Sequence, residues 1–128
     1  MKKAVFVFGE AERGEYCKPI LCSSILHLFD HLGNPPESTE GIAYAVQFLS
    51  FSLDLLFFRV EEEGFSEQDY QHGLKLLRRR EIPLSISGIC MPGVGNGEII
   101  QEAASICSEQ KSILILSPKD LYDFLMSP

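Results

Sequence analysis

Basic charge is what this chain has least of. Eleven Lys and Arg stand against eighteen Asp and Glu, a formal charge of −7 over 128 residues. The positive field that draws a protein onto nucleic acid or an anionic membrane is therefore missing, and neither is an expected partner. Long apolar runs are lacking as well. Ala4-Val5-Phe6-Val7-Phe8-Gly9, behind Lys2 and Lys3, is broken by Glu10, Glu12 and Arg13 before it reaches the length of a signal peptide. The stretch Ile42 to Phe58 is interrupted by Gln47, Ser50, Ser52 and Asp54, and placing Asp54 in a bilayer costs about 3 kcal/mol. With neither export signal nor span, the expectation is a cytoplasmic protein whose four cysteines are thiols rather than bridges.

Several chemical signatures are absent too. There is no Gly-x-Ser-x-Gly elbow, no paired-histidine metalloprotease motif and no kinase set. Cys17-x4-Cys22 has no second ligand pair at zinc-finger spacing, and His27, His31 and His72 fall in helical patterns away from the cysteines. No metal and no cofactor is expected. What the chain does have is an ordinary globular composition, 45% hydrophobic and 23% charged, at a length that buries a continuous core as one domain over residues 1–128.

Short apolar runs alternate with helical patterns, which predicts an α/β fold: a three-layer domain with a mostly parallel sheet of four or more strands between helices. Ala4 to Phe8 is apolar without alternation and reads as a central strand covered on both faces. Pro19 opens a first helix whose apolar positions are Leu21, Ile25, Leu28, Phe29 and Leu32, with Gly33 at its end. After Asn34-Pro35-Pro36, Ser38 or Thr39 caps a second helix that buries Ala43, Val46, Phe48 and Leu49. Leu55 to Val60 is a second strand. Ser66, with Asp69 three residues on, caps a helix with Tyr70, Leu74 and Leu77 inward. Arg78, Arg79 and Arg80 in its last turn oppose the helix dipole. Pro83 opens a third strand over Leu84 to Ile89. A helix from Glu98 buries Ile99, Ile100, Ala103, Ala104 and Cys107, Ile113 to Leu116 is a fourth strand, and Ser117-Pro118 starts a terminal helix that packs through Leu121, Phe124 and Leu125.

Ligands of a parallel sheet sit where loops leave the carboxyl ends of the strands. Three loops are expected there: Glu10 to Lys18, Glu61 to Ser66, and Cys90 to Gly97. Pro92-Gly93-Val94-Gly95-Asn96-Gly97 opens a helix, so the backbone of Gly93, Gly95, Asn96 and Gly97 is a candidate anion cradle, with Arg13 and Lys18 as the cations of the first loop. The loop lacks the Walker lysine, and capping by Asn96 accounts for its composition equally. Cys107 and Cys22 read as core residues. Cys17, placed before a helix N-terminus and beside Lys18, is a candidate thiolate, as is Cys90 at a strand end before the glycine loop. Glu10, Glu12, Glu15 and Glu61 to Glu63 form an acidic rim that would attract a basic protein surface.

Lys3-Ala4-Val5-Phe6-Val7-Phe8, Asp54-Leu55-Leu56-Phe57-Phe58 followed by Glu63-Gly64-Phe65, Asp69-Tyr70 with Lys75-Leu76-Leu77, and Cys90 after the third strand are together similar to the DsrE/DsrF family. Those small cytoplasmic α/β proteins, among them the Tus subunits of sulfur relay, pass persulfide sulfur on a cysteine. The resemblance implies Cys90 as the relay cysteine, a partner protein in the transfer and a homo-oligomer. It covers about the first three quarters of the chain. Asn34 to Ser50 is an added helix, and the end of the chain is a helix where many members finish on a strand. The functional expectation is a sulfur carrier or thiol relay in which Cys90 takes up sulfur and Cys17 assists. Its alternatives are a regulatory module binding a nucleotide or metabolite at the glycine loop, and a non-catalytic subunit that uses the apolar segment Phe48-Leu49-Ser50-Phe51.

Overall fold

The computed structural model describes residues 3–82 and 84–126. Its sheet has five strands: β1 (Lys3–Gly9), β2 (Pro19–Cys22), β3 (Asp54–Arg59), β4 (Ser85–Cys90) and β5 (Ile113–Ile115), in the order β2-β3-β1-β4-β5. The strands β3, β1, β4 and β5 run parallel, and β2 pairs antiparallel with β3 at the edge. The helices are α1 (Ile25–Leu32), α2 (Gly41–Ser50), α3 (Glu67–Arg78), α4 (Gly97–Gln110) and α5 (Pro118–Met126). The fold is a Rossmann-like three-layer α/β architecture with a mostly parallel sheet, as its alternating pattern implies.

The unalternating strand β1 shows why. Val5 and Val7 face one side, with Leu28 and Leu32 of α1, Ile42, Ala45 and Phe48 of α2, and Leu121 of α5. Phe6 and Phe8 face the other, with Tyr70, Leu74 and Leu77 of α3 and Ile99, Ala103 and Ile106 of α4. Both faces are covered, so both registers of the strand must be apolar. The aromatic face is tight: Phe8 stacks on Tyr70 with centroids 5.1 Å apart, and a Cβ on Gly73 would stand 2.4 Å from the Phe8 ring. Only glycine lets α3 approach that closely.

The first predicted helix is corrected. Pro19 to Cys22 is a strand, and α1 starts only at Ile25, capped by the Ser24 side chain, which accepts from His27 N. Leu21 and Ile25 satisfy helical spacing, yet both remain more than one-third exposed. The backbone explains this: Cys17 sits at φ +56 and donates its N–H to Arg59 O, which aligns the following residues with β3. Pro19, lacking an N–H, is tolerated at the start of such an edge strand.

Smaller corrections concern caps and faces. Thr39 Oγ1 donates to Pro36 O, Ser38 lies at φ +61, and neither caps α2, whose N-cap is Glu40. Ala43 and Ala104 are exposed, while Tyr44 and Ile106 are buried. Ser66 bonds with the backbone of Glu62 instead of capping α3. Arg78 ends that helix, with Arg79 its C-cap and Arg80 beyond. β4 includes Cys90, and Pro83, expected to open that strand, lies outside the described residues. The terminal helix starts as expected: Ser117 Oγ accepts from Asp120 N and Asp120 Oδ2 accepts from Leu116 N. Among the described residues no helix is long and apolar enough to cross a membrane.

Candidate functional site

The parallel strands follow the order of the doubly wound folds, with β1 between β3 and β4 and the direction of winding reversing between β1 and β4. That switch point is framed by Gly9-Glu10 at the end of β1 and Cys90-Met91 at the end of β4. Glu63 dominates it. Its Oε1 accepts from Glu10 N and Gly41 N, both at 3.0 Å, and its Oε2 accepts from Glu40 N at 2.6 Å. Glu10 Oε2 returns the bond, accepting from Glu63 N at 2.9 Å. The first turn of α2 thus receives an anion, but the anion is the chain's own carboxylate. Burial raises the Glu63 pKa; the three N–H groups pull it down without cancelling that rise, to which the Glu10 charge adds. Close passage makes the latch possible: a Cβ on Gly9 would stand 2.9 Å from the Gly41 Cα, and one on Gly41 would stand 2.8 Å from Glu63 Oε1.

The helix end behind the expected anion cradle is served in the same manner. Asn96 Oδ1 accepts from Glu98 N and Ile99 N, two of the first donors of α4, while its Nδ2 donates to Glu67 Oε1 at 2.8 Å. Gly93 lies at φ +81 against Gly64 at φ +88, where the two loops touch. Gly95 and Gly97 face open space. Arg13 does not point toward a ligand: its guanidinium donates to Phe29 O and Asp30 O, carbonyls at the end of α1. Lys18 is exposed and pairs with Glu15 at 3.3 Å. Of the six residues expected to bind a ligand, Asn96 and Arg13 serve caps, Gly93 serves a turn, and Gly95, Gly97 and Lys18 converge on nothing.

The two candidate thiols are not brought together, which corrects the expectation that they share one crevice edge. Cys90 pairs in register with Val7 and faces the valine side of the sheet, fully buried. Cys17 packs on the phenylalanine side, and its Sγ donates to Asp69 Oδ1 of α3 at 3.1 Å. Nor does Cys17 precede a helix; a strand follows it, so no dipole favours its thiolate. Burial, the hydrogen bond to Asp69 and the Asp69 charge push its pKa up to about 12. Cys90 is raised well above its ordinary value by burial, then by Glu63, Glu40 and Asp120. Cys22, on β2, is pushed up to about 11 by burial. All of these are thiols at neutral pH. Cys107 is buried in the core, as its helical position implies.

Sequence reading missed Tyr44. Its side chain is 4% exposed, and its hydroxyl has no hydrogen-bond partner among the described residues. It lines a cleft of about 130 Å³ between α2 and α5, with Glu40, Ala43, Gln47, Pro118 and Leu121. Burial raises the Tyr44 pKa, and the charges of Glu40, Asp120 and Glu63 add to the rise, as does Cys90 once ionised. Glu40, Asp120 and Glu63 are the same acidic neighbours that act on Cys90, so hydroxyl, thiol and cleft share one acidic corner at the carboxyl end of the sheet. A signal was present in Tyr44 and Phe48 at helical spacing. Glu63 gave none, because its partners lie 22 to 53 residues away. Two larger hollows, about 330 and 700 Å³, lie elsewhere, at the amino end of the sheet around Ile82 and Lys111, and over α3 and α4 around His72 and Arg79. No family model, no curated protein and no solved structure matches this chain.

Proposed function

We propose that this chain is a ligand-binding module whose site is the cleft between α2 and α5 beside the switch point of its sheet. The observation that carries the reading is Tyr44, which lines that cleft and whose hydroxyl is buried and without a hydrogen-bond partner among the described residues. An unsatisfied buried hydroxyl costs about 1–3 kcal/mol, and a turn of the Tyr44 side chain that opens it to the cleft lets a bound group recover that cost. The site differs from the glycine loop expected from the sequence, beside which Asn96 takes the Glu98 and Ile99 N–H groups of α4. The cleft suits a group of a few atoms, since a water molecule's share of liquid is about 30 Å³. A thermal-shift screen of small polar compounds tests the reading, because a ligand of the folded state raises its melting temperature. Compounds that bind should perturb the amide signals of Ala43, Tyr44 and Leu121. A screen in which none does so removes the proposal.

The thiol-relay reading stands second, favoured by one observation: Cys17 alone among the four cysteines is not fully buried, and it faces a proton acceptor. In that reading a persulfide on a partner protein gives its outer sulfur to Cys17. The donor S–S bond breaks, a new S–S bond forms at Cys17, and the thiol proton passes through Asp69 to the departing donor sulfur. There is no net oxidation. A basic partner docking on the exposed Glu12, Glu15, Glu61 and Glu62 would offset the negative field that holds the thiol neutral. Incubation with a persulfide donor should then add about 32 Da, the mass of one sulfur atom, at Cys17 and not at Cys90. Absence of an adduct at Cys17 removes it.

A further inference from the structure

We infer that the outer face of α3 is a docking surface for an extended acidic segment of a partner protein. This face borders the hollow of about 700 Å³ over α3 and α4 and shares no residue with the cleft at Tyr44. Helical spacing puts Gln68, Gln71, His72, Lys75 and Arg79 along one side of α3, and Arg78 reaches Glu102 of α4 at 3.5 Å. Three cations elsewhere are tied to the chain's own groups: Arg13 serves carbonyls of α1, Lys18 pairs with Glu15, and Arg59 donates to Gly14 O and lies over Tyr16. Among the described residues Lys75 and Arg79 have neither an ion pair nor a side-chain hydrogen bond. Compensation of the helix end does not account for them. The carbonyls of Lys75, Leu76 and Leu77 already accept from Arg79 N, Glu81 N, Arg80 N and the Gln110 side chain, and the end is equivalent to only about half a negative charge. Lys75 also stands three and four residues before Arg78 and Arg79, so the three repel one another. Glu102 balances one of them and is the one carboxylate lining the hollow among the described residues. The excess calls for an external anion. From Gln68 to Arg79 the face runs about 17 Å along the helix, the length of about five residues of extended peptide. Carboxylates of such a segment pair with Lys75 and Arg79, while Gln68 and Gln71, each both donor and acceptor, bond its backbone. A polynucleotide fits less well, because its phosphates would run past the patch onto a chain of net charge −7.

The test titrates the full chain with acetyl-pentaglutamyl amide at low salt, with the pentaglutaminyl isostere and citrate as neutral and small-anion controls, read by amide chemical shifts. Saturable shifts at Gln71, Lys75 and Arg79 are expected, with Kd on the order of 1 mM. The isostere should bind at least tenfold more weakly, and pentaglutamate itself at least threefold more weakly at about 0.3 M salt. The double variant Lys75→Gln/Arg79→Gln should lose at least fivefold in affinity. Arg80→Gln, at the separate hollow around Ile82, should change affinity less than twofold; melting curves check that both variants are folded. Citrate bound as tightly as pentaglutamate overturns the extended segment in favour of a small anion. Shifts along α3 that follow protein concentration without any probe assign the face to a second copy and overturn the partner's segment. Equal binding of the isostere, unchanged binding in the double variant, or no response to pentaglutamate overturns the inference outright.

Discussion

Replacing Glu63 by alanine tests whether the carboxylate latch holds the switch point together. The side chain satisfies Glu10 N and Gly41 N, both partly buried, and Glu40 N, which is exposed. Water replaces the third bond at little cost, whereas each of the first two loses an acceptor worth about 1–1.5 kcal/mol in a partly buried setting. The expected loss is therefore about 2–3 kcal/mol. For 128 residues the entropy of unfolding is about 0.27 kcal/mol/K, which turns that loss into a fall in Tm of about 7–11 °C. Glu63→Gln keeps one acceptor oxygen for Glu10 N and Gly41 N and should cost only about 1 kcal/mol at pH 7. The two variants also carry a sign in pH. The folded pKa of Glu63 lies above its ordinary value of 4.5, so the stability contributed by its proton is fully present below about that pH and is lost as pH rises through the folded value. The wild-type advantage over Glu63→Gln should be widest near pH 4 and narrow toward pH 7, as read from urea melts at both. A fall of less than about 4 °C in Glu63→Ala, or an advantage that grows with pH, refutes the reasoning.

Three further outcomes follow from the same geometry. Tyr44→Phe deletes an unsatisfied hydroxyl and should raise Tm by about 4 °C or more in ligand-free protein, by calorimetry; a fall would mean that the hydroxyl has a partner. Burial comes first in keeping the Cys17 thiol protonated and the Asp69 charge adds to it; Asp69→Asn removes that charge, so iodoacetamide should label Cys17 faster at pH 8, the rate in wild type still rising at pH 10 because the pKa is about 12. A labelling rate independent of residue 69 refutes the contribution of the charge. Gly64→Ala puts a Cβ 2.6 Å from Gly93 O at φ +88 and should cost about 2 kcal/mol or more, whereas Gly95→Ala meets nothing within 4 Å and should be neutral or stabilising by about 0.5 kcal/mol in denaturant melts.

The fold was legible where the pattern recorded burial on two faces. Ala4 to Phe8 announces a central strand because both of its registers are apolar, and a strand with that property needs helices on each side. The stretch 19–22 was not legible. Pro19, Leu21 and Ile25 support a first helical turn as well as an edge strand, and the deciding factor is tertiary: β3 offers its free edge, and the turn at Cys17 delivers the chain to it. Tertiary pairing of this kind overrides local propensity in short apolar runs. The cap of α2 fails for a related reason. Ser38 and Thr39 are the residues a local rule selects, but the acceptor arrives from Glu63, far along the chain.

The same failure governs the site. A glycine-rich loop before a helix is an anion cradle only while its donors are free. Four of the five helices here have their first turns served from within the chain: α1 by Ser24, α2 by Glu63, α4 by Asn96 and α5 by Ser117. Once those positive ends are satisfied, the charge that remains at the switch point is the carboxylates themselves, on a chain already carrying −7. A nucleotide phosphate at this corner would meet Glu40, Glu63 and Asp120, a repulsion that grows as the corner excludes water. Burial keeps the Cys90 thiol neutral and the charges of Glu63, Glu40 and Asp120 add to that effect, so the same corner that would repel a phosphate also disfavours the thiolate expected at Cys90.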